Sequence, residues 1–298
     1  MSKLKKKSIF KYATNYAFVL PYLTIFFLFT VLPVLISIFL SFTYYNVIET
    51  PVFNGLANYQ RLFFSDDLFT KALSNTMVLA LIIGPGGYVL SFGFAWILNE
   101  FKPKIRTFLT FFLYAPSLSG GAFAIWAIIY SGDRYGWLNS ILLSLNIISE
   151  PIQWLTDTNY MLPCAAVSIL WMSLGTSFLS FIAGFQTVDG SLYEAASVDG
   201  ITNRWQELWY ITIPSMLPQM MFGAVMSITA SFGVGPQITA LFGNPSTNYE
   251  LYTVVHQLED YGSTRFEMGY ASAIATVLFV IMFVSNEVVK KLLAKVGH

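Results

Sequence analysis

The sequence is poor in the residue types that carry most enzyme chemistry. Of its 298 residues, 11% are charged, two are histidines and one, Cys164, is a cysteine. A lone cysteine permits no internal disulfide, and the sequence has no Cys/His spacing typical of a metal site. It also has no Gly-Lys dipeptide, which excludes the phosphate-binding loop in which a lysine and backbone amides hold a nucleotide. We therefore expect no catalytic residue, no metal and no cofactor in this chain.

What the chain has in abundance is apolar residues, which make up 55% of it. Six stretches contain no charged residue, and each is near or above the roughly 20 residues that a membrane-spanning helix needs. They are residues 16–42, 73–98, 107–131, 161–186, 217–241 and 268–286. Because backbone groups in lipid must be hydrogen-bonded within their own segment, the sequence predicts an all-α integral membrane protein with six transmembrane helices.

The distribution of basic residues predicts the orientation of these helices. Twelve of the 16 basic residues fall on one side of the predicted membrane: Lys3, Lys5, Lys6, Lys7, Lys11, Lys102, Lys104, Arg106, Arg204, Lys290, Lys291 and Lys295. The other four, Arg61, Lys71, Arg134 and Arg265, fall on the opposite side. Since basic loops stay inside, we expect both termini and the loop 191–214 to be cytoplasmic.

No ionisable residue lies within the six predicted spans, which bears on the mechanism. Carriers coupled to protons or sodium usually keep ionisable groups inside the membrane. An intramembrane serine protease is a rival interpretation, suggested by the SLSG segment at residues 117–120. Its serine needs a base within reach, however, and the two histidines, His256 and His298, lie outside the spans. Both classes are disfavoured, and no basic surface for nucleic acid is present.

The loop between the fourth and fifth predicted spans is charged and has helix-capping signals. Ser191 and Glu194 form an S-x-x-E capping box, which predicts a short helix from Ser191, and Gly200 suits the left-handed position that ends it. Asn203 with Gln206 repeats the capping pattern for a second helix, which Pro214 should end. We call residues 187–215 the docking loop, because a compact capped knob between two spans is suited to contact another protein.

The docking loop resembles the EAA loop of binding-protein-dependent ABC importer permeases. The resemblance is carried by Glu194-Ala195-Ala196, Asp199-Gly200 and the ITIP sequence of residues 211–214. It extends to residues 21–46, 55–63, 72–76 and 135–142, and so to nearly the whole chain. The block at residues 21–46 is most similar to the maltose, multiple-sugar and glycerol-phosphate branch, whose members import carbohydrates. Two departures are a ten-residue spacing between Gly200 and Ile211, where nine is usual, and Ile213 in place of a common leucine.

The resemblance implies a type I ABC importer permease fold in a bacterial cytoplasmic membrane, and a set of partners. A single permease domain would cover residues 1–298, with a shared core at about 72–290, an additional first helix at 16–42 and the EAA loop at 187–215. The partners would be a second permease subunit, two ATPase subunits that bind ATP and Mg²⁺, an extracytoplasmic sugar-binding protein and the lipid bilayer. The residues implied in ATPase coupling are Glu194, Ala195, Ala196, Asp199, Gly200 and Pro214.

A pathway for substrate is suggested by interruptions in the apolar stretches, since broken backbone at membrane depth needs protein or water to satisfy it. Three segments qualify, residues 84–87 (GPGG), 116–121 and 231–236, although static kinks or close helix packing explain them equally well. By alignment with the maltose-type permeases, the implied pathway residues are Met172, Ser173, Thr176, Ser227, Ala230, Ser231 and Val234. Their small, weakly polar side chains favour a roomy channel with few hydrogen bonds.

Together these patterns predict a permease subunit of an ATP-driven sugar importer that works by alternating access and passes oligosaccharides. Two alternatives stay open at this point. One is an importer permease for a non-sugar solute such as glycerol phosphate, and the other is an ATP-independent carrier.

The predicted topology is tested by cysteine labelling from each side of the membrane. We expect Asn54→Cys, Ser140→Cys and Asn248→Cys to react with an impermeant thiol reagent added outside, because their loops carry few basic residues. Asn203→Cys should react only in inside-out vesicles. Labelling of residue 203 from outside would contradict the topology.

Overall fold

The structure is a computed structural model that describes residues 13–296. The basic residues Lys3 to Lys11 and the terminal His298, used above for orientation and for the protease argument, lie outside these described residues. The described chain is mainly helical and contains one short pair of strands. It divides into two compact units, one made of residues up to 66 with Leu258–Val277 and the other of Asp67–Gln257 with residues from 278 onward. The extents predicted for a single permease domain stay a prediction.

The first unit contains a long apolar helix and a small polar cluster. Helix α1 (Ala13–Phe26) continues through a π turn (Phe27–Val31) into α2 (Leu32–Leu40). Strands β1 (Thr43–Tyr44) and β2 (Val52–Phe53) pair antiparallel, with Thr43 opposite Phe53, and α3 (Ala57–Phe64) follows. The buried amide of Asn58 donates to the carbonyls of Ser41 (2.9 Å) and Thr43 (2.8 Å), which ties α3 to the end of α2.

The polar cluster of the first unit centres on Arg61. Its guanidinium pairs with Glu267 and lies 4.1 Å from the ring centre of Tyr270. Burial would lower the pKa of Arg61, but the hydrogen bond and the charge of Glu267 outweigh burial, so that its pKa lies above the ordinary value.

The second unit is built around α4 (Asp67–Asn99), a continuous helix of 33 residues. The helices that follow are α5 (Pro103–Leu118), α6 (Phe123–Ile129), α7 (Trp137–Ser144), α8 (Thr158–Met172), α9 (Thr176–Thr187), α10 (Gly190–Val198), α11 (Arg204–Glu207), α12 (Ile213–Ser215), α13 (Leu217–Phe232), α14 (Gly235–Phe242), α15 (Val254–Glu259) and α16 (Met268–Val296). Helix α16 begins in the first unit and ends in the second. Helices α4, α9 and α13 pack together, and large buried side chains such as Phe178, Phe181 and Met216 fill the space between them.

The membrane-spanning candidates agree with six predicted spans in number but differ from them in form. Among the described residues, three helices are long and apolar enough to span a membrane: Tyr16–Leu40, Asp67–Asn99 and Met268–Lys295. Three more candidates are bent pairs, Pro103–Leu118 with Gly120–Ile129 (81°), Thr158–Met172 with Thr176–Thr187 (42°) and Arg204–Ser215 with Leu217–Phe232 (83°). The predicted spans 107–131 and 161–186 each contain a break, at Ser119 and at residues 173–175, and the first helix of the predicted span 217–241 ends at Phe232. The breaks in 107–131 and 217–241 fall within the interruptions predicted at 116–121 and 231–236.

The glycine-rich segment 84–87 is not an interruption. Helix α4 runs through it, and the glycines serve close packing instead. A β-carbon on Gly84 would lie 3.2 Å from Ser231 Oγ, one on Gly86 3.0 Å from a methyl of Leu170, and one on Gly87 3.0 Å from Ser173 Oγ. Small residues at these positions let α8 and α13 approach the backbone of α4, as is common between membrane helices.

We expect Gly87→Val to destabilise the protein by about 1–3 kcal/mol, because the new side chain overpacks the contact with Ser173. Gly93→Val is the matched control: it lies in the same helix, and a β-carbon there meets no atom within 4 Å. Thermal melting in detergent should show a lower midpoint for Gly87→Val alone. Equal midpoints for the two variants would contradict the packing role.

Candidate transport cavity and docking loop

A cavity in the second unit lies where three helices break. Helix α5 ends before Ser119, α8 before the Ser173–Gly175 bend, and α13 before Gly233. In each case a tight turn uses one freed carbonyl: Ser119 N–H bonds Pro116 O, Ser173 N–H bonds Leu170 O and Gly233 N–H bonds Ala230 O, all at 3.1 Å. Such ends leave further backbone groups open, and a polar cavity is where they can be satisfied.

The cavity has two lobes of about 310 and 370 Å³ that share five lining residues. The shared residues are Ile83, Ser117, Met172, Ser173 and Ala230. The first lobe adds Ser119, Gly120, Phe123, Ile169, Val234, Pro236, Gln237 and Ala240; the second adds Gly87, Gly175, Thr176, Ser177, Met226, Ser227 and Thr229. Within the described residues, both lobes are lined without any charged side chain. The volumes are in the range of small-molecule sites.

The structure brings six of the seven predicted pathway residues to this cavity. Met172, Ser173, Thr176, Ser227, Ala230 and Val234 line one or both lobes. That they carry substrate stays a prediction, but helices α8, α9 and α13 do converge as the alignment implied.

Ser231 is the exception. Its side chain is buried, its hydroxyl donates to Ile228 O at 2.7 Å, and it faces Gly84 of α4. The physical reason is rotation: one residue along a helix turns the side chain by about 100°, so that Ala230 lines the cavity and Ser231 packs against the neighbouring helix. The placement of Ser231 on the cavity wall was therefore wrong.

Several polar lining residues were not among the aligned pathway residues, although Ser117 and Ser119 lie in the interruption predicted at residues 116–121. Ser117, Ser119 and Gln237 line the first lobe, and Ser177 and Thr229 line the second. The signal for the serines was the interruption at residues 116–121, which was also interpreted as helix packing. Gln237 gave no signal, because a lone amide near a predicted helix end is more often exposed than part of a site.

Most of the hydroxyl protons in the cavity wall already have backbone acceptors. These bonds run from Ser117 Oγ to Tyr114 O (2.7 Å), Ser173 Oγ to Leu170 O (2.7 Å), Ser177 Oγ to Gly223 O (2.9 Å) and Thr229 Oγ1 to Val225 O (2.8 Å). The side-chain oxygens that face the cavity are thus available mainly as acceptors. A ligand that donates hydrogen bonds suits this wall.

The first helix of the docking loop, α10, begins earlier than predicted. Asp189, rather than Ser191, is the N-cap, and its carboxylate accepts the backbone N–H of Ser191 at 3.0 Å. The hydrogen bonds from the backbone N–H and then the hydroxyl of Ser191 lower the pKa of Asp189. The predicted Ser191–Glu194 capping box was wrong because an aspartate two residues upstream is an equally good cap and a charged one.

The end of α10 is as predicted. Gly200 has φ +92°, a left-handed conformation, and Ile201 N–H bonds Ala196 O at 3.0 Å across the helix end. This is the Schellman arrangement, in which a glycine avoids the steric cost of positive φ. Of the predicted coupling residues, Glu194, Ala195, Asp199, Gly200 and Pro214 are exposed, whereas Ala196 is buried and does not present a docking surface.

The second helix of the docking loop contains a π turn. Asn203 caps α11 as predicted, with its side chain accepting Trp205 N–H at 2.9 Å. Residues Leu208–Thr212 then form the π turn before α12, which contains Pro214. A π turn holds one residue more than an α turn, so it accommodates the ten-residue spacing noted in the sequence. The loop also exposes Val198, Trp209 and Tyr210, an apolar surface on a charged knob.

Within residues 13–296, no group of three or more His, Cys, Asp or Glu side chains is arranged to hold a metal ion.

Comparison with known proteins places the chain among transport proteins. A family model described as "Binding-protein-dependent transport system inner membrane component" matches residues 87–297. The "Probable ABC transporter permease protein YesP" of Bacillus subtilis is 35% identical over 90% of this chain and 86% of that protein. The "Lactose transport system permease protein LacF" of Rhizobium radiobacter is 27% identical over 95% and 94%. The structure resembles a chain of a bacterial alginate ABC transporter solved with an alginate pentasaccharide-bound periplasmic protein (TM-score 0.77, 23% identity, 98% and 97% coverage).

Because Thr176 lines the cavity and Ser231 is buried against α4, a large side chain should be tolerated at residue 176 but not at residue 231. Thr176 is an exposed cavity residue, so Thr176→Trp should fold and melt like the unsubstituted protein while filling the second lobe. Ser231→Trp has no such space and should lower the melting midpoint or abolish folding, because overpacking costs about 1–3 kcal/mol or more. Purification yield and thermal melting measure both. A stable Ser231→Trp protein would contradict the assigned rotation of α13.

Proposed function

Since the chain belongs to the family of binding-protein-dependent transport system inner membrane components, we propose that it imports sugars, in particular oligosaccharides, as one permease subunit of an ATP-driven transporter. It is a membrane protein of type I ABC importer permease fold and a transport subunit rather than an enzyme, with ATP hydrolysed on a separate subunit. The observation that carries the sugar proposal is the uncharged, hydroxyl-lined cavity at the three helix breaks.

The chemistry of this cavity supports a sugar substrate. Its serine and threonine oxygens accept hydrogen bonds, and the apolar faces of Met172, Phe123 and Ile83 suit the C–H faces of a sugar ring. Neutral hydrogen bonds contribute about 0.5–1.5 kcal/mol each. A few of them hold a sugar weakly, which leaves selectivity to a soluble receptor. A relative named for lactose transport and a structural neighbour described as an alginate ABC transporter support a saccharide substrate.

The proposed assembly contains a second permease subunit, two ATPase subunits and an extracytoplasmic sugar-binding protein, with ATP and Mg²⁺ on the ATPases. The structural neighbour was solved with its periplasmic binding protein, which supports that partner. We propose that both termini and the docking loop face the cytoplasm, as the asymmetry of basic residues indicates. No nucleic-acid partner is proposed.

The docking loop is proposed as the contact with an ATPase subunit. Exposed Glu194, Ala195 and Asp199 on α10, together with Pro214 beyond the π turn, form the contact region, and Gly200 sets the bend between the two helices. Ala196 supports α10 from beneath. Closure of the ATPases would push on this knob and so drive alternating access of the cavity.

The alternatives raised from the sequence are not favoured. An ATP-independent carrier does not fit the family. A glycerol-phosphate importer is expected to offer its anion cationic side chains or helix N-termini, and no cationic side chain lines either lobe of the cavity among the described residues.

Variants of Gly200 test the docking role. We expect Gly200→Val to uncouple ATP hydrolysis from uptake, because a β-branched residue is strained at φ +92°. Gly200→Asn is the matched control, since asparagine tolerates the left-handed region. Glu194→Lys, on the exposed face of α10, should also uncouple ATP hydrolysis from uptake, and it introduces no backbone strain.

The measurement is binding-protein-stimulated ATPase activity and uptake in proteoliposomes, with melting to confirm folding. Normal stimulation in both Gly200→Val and Glu194→Lys would show that the loop has only a structural role.

A further inference from the structure

The docking loop is joined to the end of α4 by contacts of two different kinds. Arg204, the first residue of α11, places one guanidinium nitrogen 3.0 Å from a carboxylate oxygen of Glu100, which directly follows α4. Its other nitrogen lies 2.8 Å from Glu207 of its own helix. One residue along, the ring of Trp205 lies 4.9 Å from the ring of Trp96 on the last turn of α4. The planar guanidinium thus bridges two elements of the fold.

The two helices of the docking loop are themselves linked at the same place. Tyr193 of α10 and Thr212 of the π turn share a hydrogen bond of 2.8 Å between their hydroxyls, and the Thr212 hydroxyl also reaches Glu207 O at 3.2 Å. Tyr193, Arg204, Glu207 and Glu100 line one small cavity of about 90 Å³. A displacement of α10 is therefore transmitted to α11 and so to Arg204.

The other end of this connection is the wall of the transport cavity. Helix α4 is continuous from Asp67 to Asn99, and at a rise of 1.5 Å per residue Glu100 lies roughly 20 Å from Gly87. Gly87 and Ile83 line the cavity, and Gly87 is packed tightly on Ser173 at the bend between α8 and α9. A helix held this closely moves as a unit, so that a displacement of its end changes the shape of the wall.

We propose that Arg204 is the positioning residue that holds the end of α4 to the docking loop, so that movement of the loop reshapes the cavity wall through α4. This inference rests on the proposed function. Arg204 is exposed and its ion pairs add little to stability in water. Its role is geometric, because the rigid, planar guanidinium fork directs one nitrogen toward Glu100 and another toward Glu207, whereas a lysine ammonium is a point charge on a flexible stem. Hydrogen bonding to Glu207, followed by the charge of Glu100, also keeps the pKa of Arg204 above its ordinary value.

The test uses the complete importer in nanodiscs and a reporter that needs no knowledge of the sugar. Cys164→Ala removes the native thiol, and Thr176→Cys places a single thiol of this chain in the cavity. The labelling rate of residue 176 by an impermeant methanethiosulfonate is measured without nucleotide and with ATP plus vanadate, by mass spectrometry of the peptide that carries it. We expect the two rates to differ about tenfold, as is typical of coupled sites.

Glu100→Arg should reduce this difference by about fivefold, to about twofold, which is within the range by which mutations modulate coupling, while the melting temperature stays unchanged. The charge swap Glu100→Arg/Arg204→Glu should restore the ATP-dependent difference in labelling rate. Glu207→Gln removes the negative charge of the partner within α11 but keeps a side-chain oxygen that accepts an N–H of Arg204, so it is the matched control and should leave the difference intact. Arg204→Lys keeps the charge but loses the fork and should give an intermediate value.

Several results would overturn the inference. One is a full ATP-dependent difference in both Glu100→Arg and Arg204→Lys, and another is failure of the charge swap to restore a folded Glu100→Arg protein. If the importer carrying Glu100→Arg does not assemble, the labelling difference measured in Arg204→Lys tests the inference instead. Absence of any ATP-dependent difference in the unsubstituted reporter would contradict the proposed function itself, and the inference would fall with it.

Discussion

The close approach of α8 and α13 to the backbone of α4 is the constraint on which the second unit depends. Gly84, Gly86 and Gly87 leave room for Ser231, Leu170 and Ser173, and any β-carbon at these positions would press on one of them. Because α8 and α13 both pack closely on α4 here, the breaks at Ser173 and Gly233 come to lie around a shared space. Backbone freed at such breaks is tolerated only where protein or water satisfies it. The small residues of this region therefore have two effects: they allow the helices to pack closely, and they lie where the helices break to form the cavity.

The sequence predicted the class of fold and the number of spans because both depend on long charge-free runs, a signal that is additive along the chain. It failed where the outcome depends on local competition. Asp189 and Ser191 are both good caps, and only the three-dimensional course of the chain decides that Asp189 is used. The GPGG segment carries the composition of a break, yet packing on both neighbours keeps α4 helical through Pro85. Which residue caps a helix, and whether a segment stays helical, depends here on tertiary packing and cannot be derived from the sequence of the segment itself.

The residues that line the cavity were predicted as far as a sequence alignment can identify the residues on one face of a helix. Six pathway residues reach the cavity, and Ser231 does not, because an alignment specifies a position but not the rotation of the helix around it. Gln237 and Ser119 were not among the aligned pathway residues. They belong to the short segments that follow the helix breaks, and no periodicity in the sequence predicts the direction of such segments. In the docking loop, the glycine at positive φ was predictable because few residues tolerate that conformation, while burial of Ala196 depends on what lies beneath α10.

The central claim is that a cavity built from broken helices is the passage of an importer and is switched through the docking loop. An electron cryo-microscopy structure of the assembled transporter with a bound ATP analogue tests this most directly. The account predicts that Glu194 and Ala195 of α10 lie in a groove of an ATPase subunit, and that Ser173 and Thr176 face a chamber shared with the second permease subunit. A docking loop that lies free in solvent, or a cavity closed off by lipid on the side of the partner, would contradict it.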